Sequence, residues 1–232
     1  MNETTPKTKF KVQSTKLQNF KALVLEASQC TLCPEMCGRS AVLSELNGSI
    51  AASILFIGEA PGRKGADRTR IPFSGDQSGV NFDRFLKSID LRRNQIFITS
   101  AALCNPRAES GANRKPTQKE LANCADFLRR TIRLINPCVV VTLGSVALEA
   151  LKRIHYHEFT LKESAAQAQR WDGRLLVPIY HPSPQVLASH RREEQQLQDY
   201  QVVAQAIALE CGDLSSLSPA ADNSVFVKRI GK

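Results

Sequence analysis

The sequence predicts an α/β fold in three layers, with helices on both faces of a parallel sheet. Two observations carry that prediction. Apolar strand-like runs alternate along the chain with segments of helical period. The strand-like runs are also continuously apolar, as they must be when both faces of a sheet are covered. Size agrees: 232 residues of which 42% are hydrophobic can build one core of ordinary dimensions. Residues 1–14 are polar, basic and aperiodic and read as a disordered arm; 15–211 read as the domain, and 212–232, rich in Ser, Pro and Asp, as a disordered tail.

Each element has its own signal. Lys16 to Ser28 carries Leu17, Phe20, Val24 and Ala27 at helical spacing. SILFI, 53–57, is a short buried strand that stops at Gly58. Residues 79–89 return to a helical rhythm through Phe82, Phe85, Leu86 and Ile89, and QIFIT, 95–99, is the second strand. A loop rich in Pro, Gly and Asn, 105–116, follows. Thr117 and Glu120 then form a capping box that starts a helix running to about Leu134, ahead of Asn136-Pro137. CVVVT, 138–142, is the third strand, 145–152 a helix, and 175–179 a fourth strand that ends before His181-Pro182. Leu197, Tyr200, Val203 and Ile207 mark a last helix over about 193–209.

Charge and composition narrow the classes of function. No stretch approaches the apolar length of a membrane span, and the N-terminus lacks the apolar run of a secretory signal. The expectation is a soluble cytoplasmic or nucleoid-associated protein, acting as a monomer and without membrane contact. Thirty-one Lys and Arg against 22 Asp and Glu leave a net charge of +9, which suits a polyanionic partner such as nucleic acid. Seven cysteines in a reducing compartment are expected to be buried or metal-bound rather than paired in disulfides.

In a parallel sheet, ligands sit beyond the carboxyl ends of the strands. Those ends carry Gly58-Glu59-Ala60-Pro61-Gly62, then Ser100 with Cys104 a little further on, then Gly144, and finally Tyr180-His181-Pro182-Ser183-Pro184. The GEAPG corner lets backbone approach a ligand closely while Pro61 stiffens the turn. It is not a phosphate-binding P-loop, since the second glycine of that motif would fall on Arg63, and it lacks the Gly-x-Gly of a dinucleotide site. A purely structural turn has the same composition. In HPSP, 181–184, two prolines hold a histidine on a loop too rigid to bend away, which suits a donor aimed at developing negative charge. Cys30 and Cys33 are spaced to reach one metal centre. With Cys104 and Cys124 they would make a four-thiolate site for iron–sulfur or zinc. Cys37, Cys138 and Cys211 are not needed for it, and Cys138, at the start of a strand, reads as core.

GEAPG, PFSG (72–75), the Cys104 loop, Asn113-Arg114-Lys115-Pro116-Thr117, VTLGS (141–145) and HPSP stand in the order found in uracil-DNA glycosylases. Over about residues 27–205 the chain resembles the iron–sulfur branch of that superfamily. GADRTRIPFSGDQSG (65–79) is closer to family five and GEAPG to family four. The resemblance implies a central four-stranded parallel sheet between helices. It implies a 4Fe–4S cluster on Cys30, Cys33, Cys104 and Cys124 that serves structure, and hydrolysis of the bond between uracil and deoxyribose in DNA. A non-cleaving iron–sulfur DNA-binding protein of the same fold is the alternative.

The resemblance also implies roles. Glu59 and His181 would be catalytic, His181 donating a hydrogen bond to the uracil O2 while Glu59 stabilises the cationic sugar or orients water. Gly58, Ala60, Phe73, Ser100 and Asn113 would surround the base, with Phe73 flat against it. Ser183, Gln185, Val186 and Arg191 would meet DNA, the Pro184–Leu187 loop filling the gap left in the stack. Two departures stand out. Ala60 occupies the place of the water-activating aspartate of the most active branch, which leaves Glu59, Asp67 and Asn113 as candidates for positioning water. Ser100 stands where family four has an Asn, and a hydroxyl makes fewer fixed contacts than a carboxamide. Tolerance for other deaminated bases, such as hypoxanthine or xanthine, is the expected consequence.

Overall fold

The computed structural model describes residues 6–36 and 38–212. In chain order the helices are α1 (Pro6–Ser28), α2 (Ala66–Thr69), α3 (Gln77–Lys87), α4 (Gln118–Ile135), α5 (Ser145–Leu151), α6 (Leu161–Ser164), α7 (Pro184–Ser189) and α8 (Glu193–Cys211). The strands are β1 (Ile54–Gly58), β2 (Ile96–Ser100), β3 (Val139–Leu143), β4 (Gln169–Trp171) and β5 (Arg174–Ile179). The sheet has five strands in the order β2-β1-β3-β5-β4. β2, β1, β3 and β5 are parallel, and they are the four strands expected from the sequence.

The fifth strand corrects the four-stranded expectation. β4 pairs antiparallel with β5 at the edge of the sheet. Gln169-Arg170-Trp171 is too polar to read as a buried run. The turn after it did carry a signal: Asp172 and Gly173 both have positive φ (47° and 74°), the two-residue hairpin turn that Asp-Gly favours. The N-terminal helix also starts earlier than expected, at Pro6 instead of Lys16, so that residues 6–14 of the supposed arm have helical backbone. Cys37 and residues 213–232, most of the expected tail, lie outside the described residues.

Alternation along the strands divides the core in two. Leu55 and Ile57 of β1, Phe97, Val140 and Leu176 face one side, packing with Phe20 and Leu23 of α1, Leu121, Leu128 and Ile132 of α4, and Leu148 and Leu151 of α5. Ile54 and Phe56, Ile98, Val141 and Val177 face the other, against Phe82, Phe85 and Leu86 of α3 and Tyr200, Val203 and Ile207 of α8. Each such fully buried side chain contributes roughly 2 kcal/mol of transfer free energy. Because both faces are filled, only the strand ends are left to carry chemistry.

Caps fix where those ends point. Thr117 Oγ1 accepts from the Glu120 amide at 3.2 Å, and the Thr117 amide donates to Glu120 Oε2 at 2.7 Å, the expected capping box. α4 closes at Asn136 in the left-handed region, just before Pro137. The segment 184–187, expected as a loop, is the first turn of α7. Ser183 caps it and Pro184 occupies its first helical position, a pairing visible in the sequence.

Two cysteines depart from expectation. Cys138 and Cys211 form a disulfide, with Cα atoms 6.0 Å apart and a sequence separation of 73. It ties the start of β3 to the end of α8. Only the fold brings the two together, so neither spacing nor composition foretold it. No helix among the described residues is long and apolar enough to cross a membrane.

Candidate active site

Strand register sets the level of the site. Gly58 lies opposite Ser100, and Leu143 opposite Ile179, so all four parallel strands end together. The chain turns from β1 toward β2 on one side and from β3 toward β5 on the other. That makes the gap between β1 and β3 the switch point where open α/β sheets bind ligands. A cavity of about 420 Å³ opens at this edge. Glu59, Ala60, Phe73, Ser100, Asn113, His181, Ser183, Gln185 and Val186, all singled out from the sequence, line it. Gly58 lies just behind the lining: a Cβ there would stand 3.2 Å from the Phe73 ring and press it away from the strand end.

Phe73 is backed by Phe82, with ring centroids 4.7 Å apart and an interplanar angle of 27°, and it tilts against His181 at 5.5 Å. The His181 turn is held from two sides. The buried Asn81 of α3 donates to the Pro182 carbonyl at 2.8 Å, and Gln196 of α8 donates to the His181 carbonyl at 3.2 Å. The rigidity expected from the prolines is therefore shared with two amide side chains that no local motif announces. Burial holds the His181 imidazole down to about 4, while the Asp76 carboxylate pulls weakly the other way. At neutral pH the ring is uncharged and carries one N–H donor.

Asp76 lines the cavity and was missed from the sequence. Its Oδ1 accepts the Gly79 amide at 3.0 Å as the cap of α3. An Asp followed three residues later by Gly at a helix start reads as a plain cap, which hid its position beside the histidine. Asp67, a sequence candidate for positioning water, is absent from the lining and is bound up in ion pairs with Arg107 and Arg70. Glu59 is half-buried; desolvation raises its carboxyl above the ordinary value, and Lys115 opposes this. Asn113 Oδ1 accepts from the Arg63 amide and from Asn105 Nδ2, each at 3.0 Å, so its amide group turns donors toward any ligand. Arg191 stands outside the cavity lining, its guanidinium forked onto the buried Asp199 and lying over the Tyr180 ring.

Cys30 and Cys33 follow α1, Cys104 follows β2, and Cys124 lies on α4. Their thiols are close enough to repel one another if ionised. The Cys104 thiol is pushed up to about 12 by burial and by the other three, and Cys124 to about 11 by burial first, against the help of the Leu103 amide. A cationic centre would relieve this repulsion. Among the described residues no group of three or more His, Cys, Asp or Glu side chains is placed to hold a metal ion.

The fold and the site define an open-sheet α/β protein whose polar cavity, at the sheet switch point, brings together an acid, a neutral imidazole and an aromatic wall. Residues 47–203 match the family model of the uracil DNA glycosylase superfamily, and the chain belongs to that superfamily. It is 36% identical to the type-4 uracil-DNA glycosylase of Archaeoglobus fulgidus over 152 residues, 63% of this chain and 73% of the relative. It is 32% identical to the type-4 uracil-DNA glycosylase of Thermotoga maritima over 156 residues, 67% and 77% of the two chains. The type-5 uracil-DNA glycosylase of Thermus thermophilus is 34% identical over 157 residues, 60% and 68%. Similarity to both types agrees with a place between families four and five.

Proposed function

We propose that the protein is a DNA repair glycosylase that hydrolyses the N-glycosidic bond of uracil in DNA and leaves an abasic site. The observation that carries this reading is the convergence of Glu59, Phe73 and His181 on one cavity at the strand ends. A base inside a duplex is out of reach of any side chain, so the nucleotide must leave the stack. The net charge of +9 favours the backbone contacts that hold DNA during that step. Ser183, Gln185 and Val186, at the start of α7, are where the protein would enter the vacated stack. Arg191 would steady α7 through Asp199 instead of meeting phosphate.

Once everted, uracil lies flat on Phe73. Breaking the bond puts positive charge on the sugar and negative charge on the base. His181, already neutral, donates its N–H to the uracil O2 without first giving up a proton, and so stabilises the leaving anion. One such donor in a dry site lowers the barrier by roughly 3 kcal/mol. Glu59 and Asp76 are the carboxylates placed to stabilise the cationic sugar and orient water. The donors of Asn113 and the single hydroxyl of Ser100 read the base edge loosely, and we extend the substrate range to hypoxanthine and xanthine.

We assign Cys30, Cys33, Cys104 and Cys124 as holders of a four-iron cluster. Four thiols from three segments of the chain that raise one another's pKa suit a group in which each iron takes one thiolate. When bound, such a group ties α1 to β2 and α4 and is given no part in bond cleavage. A purified protein that is brown with broad visible absorption supports the assignment; a colourless folded protein refutes it.

The activity is tested by incubating purified protein with a uracil-containing oligonucleotide and then with hot alkali. Strand breaks at uracil are expected. Their absence would favour the non-cleaving DNA-binding alternative. Hypoxanthine and xanthine oligonucleotides in the same assay test the wider range, and cleavage of uracil alone would restrict it.

A further inference from the structure

Phe73 has a left-handed backbone, with φ of 51°, a conformation that a bulky non-glycine residue adopts only under strain. Something must hold it there. Arg93, in the turn before β2, donates through Nη1 to the Pro72 carbonyl at 2.7 Å and through Nη2 to the Phe73 carbonyl. Its Nε donates to Asp83 Oδ1 at 2.6 Å, and its guanidinium lies over the ring of Phe82, which itself backs Phe73. A Cβ on Gly79 would stand 2.2 Å from the Phe73 carbonyl oxygen, so glycine leaves room for that oxygen where Arg93 meets it.

We infer that Arg93 is a positioning residue for the base site: its fork on the carbonyls of Pro72 and Phe73, with Gly79 making room, holds the Phe73 ring as a wall for the everted base. The guanidinium is suited to this because it is planar and presents two parallel donors to adjacent oxygens while Asp83 fixes its third edge. Lysine, with a single nitrogen, lacks the separate donors that meet both carbonyls and Asp83 here. Arg93 acts only through Phe73 and touches no reacting atom. The inference rests on the proposed role of Phe73 as the wall against uracil.

The test is a double-mutant cycle on the full-length protein, reading free-uracil affinity by calorimetry and by product inhibition, with kcat, KM and Tm alongside. Phe73→Leu and Arg93→Gln are each expected to weaken uracil binding about tenfold, within the range spanned by base–aromatic stacking. The double variant should be no weaker than Phe73→Leu alone, because Arg93 has nothing left to hold. Arg93→Lys should resemble Arg93→Gln. Gly79→Ala, pressing on the same carbonyl, should reproduce the loss if Arg93→Gln fails to fold. Additive losses, or an effect on DNA affinity with unchanged uracil affinity, would overturn the inference and mark Arg93 as a general structural or phosphate-contacting residue. If Phe73→Leu leaves uracil affinity unchanged, the wall itself is wrong. Weakening by Phe73→Leu but not by Arg93→Gln sinks only the role of Arg93.

Discussion

Phe73 and His181 lie side by side at the cavity wall, their ring centroids 5.5 Å apart and their planes inclined by 37°. A flat base laid on Phe73 therefore has an imidazole beside it, and the two rings fix one binding pose. Their loops are far apart in the sequence, so the pose depends on α3, which supplies Phe82 behind one ring and Asn81 beneath the other turn.

His181→Ala is expected to lower kcat on uracil oligonucleotides by about a hundred- to a thousandfold, the cost of losing one preorganised donor. DNA affinity and its salt dependence should change little, since the donor meets the base and not phosphate. The same variant has a stability signature. Because burial lowers the folded-state pKa of His181 from 6.5 to about 4, the unfolded chain takes up this proton first as pH falls. The contribution is present above pH 6.5 and is lost progressively toward pH 4. Denaturant unfolding at pH 7.5 and 4.5 should show a smaller acid loss for the variant than for the wild type. An equal loss would mean that the imidazole titrates normally.

Glu59 sets the acid limb of the rate profile if its carboxylate is the form that works. Desolvation raises its pKa above 4.5, so kcat should begin to fall at a pH above that of an ordinary carboxylate. Lys115→Ala removes the opposing charge and should move the limb to still higher pH at saturating substrate. Glu59→Gln should give a low rate without that limb. A raised carboxyl pKa also means that folding is weakened as pH rises through it, so Glu59→Gln should raise Tm at pH 7.5. A limb that stays put in Glu59→Gln would assign it to another group.

Most of the site could be read from the sequence because it sits on strand ends, where chain order and spatial order coincide. Apolar runs located β1, β2, β3 and β5, and the residues just after β1, β2 and β5 had to share one edge. The Thr117–Glu120 box was legible for the same local reason. Contacts between distant segments left no such mark. Asp76 caps α3, Asn81 and Gln196 lie within helices, and Asp67, a candidate for positioning water, is held by Arg107 and Arg70; no local spacing marks any of these contacts. Polarity hid β4, although Asp172-Gly173 announced its turn.

Asp76 offers a clean separation of charge from structure. Asn caps helices as well as Asp does, so Asp76→Asn should keep the hydrogen bond to the Gly79 amide and change Tm by no more than a degree or two. If the carboxylate supports the cationic sugar or orients water, kcat should nonetheless drop by one to two orders of magnitude, about the effect of one charged group in a dry site. Asp76→Ala should add a loss of stability of about 1 kcal/mol from the missing cap. Wild-type turnover in Asp76→Asn would confine the residue to its capping role.

The disulfide between Cys138 and Cys211 should appear in stability and not in turnover. It closes a span of 73 residues, and a loop of that length restricts the unfolded chain by up to about 4 kcal/mol in the chain-entropy account. In a domain of this size that corresponds to a Tm change on the order of 10 °C. The bond joins the start of β3 to the end of α8, away from the strand ends that carry the cavity, whereas Gln196, which holds the His181 carbonyl, lies in the first turn of α8. Cys211→Ser should therefore lower Tm while uracil cleavage at 25 °C stays at the wild-type rate. Adding reductant should lower the wild-type Tm toward that of the variant and leave the variant unmoved. If reductant shifts both proteins equally, the stabilising thiol chemistry lies at Cys30, Cys33, Cys104 and Cys124 instead.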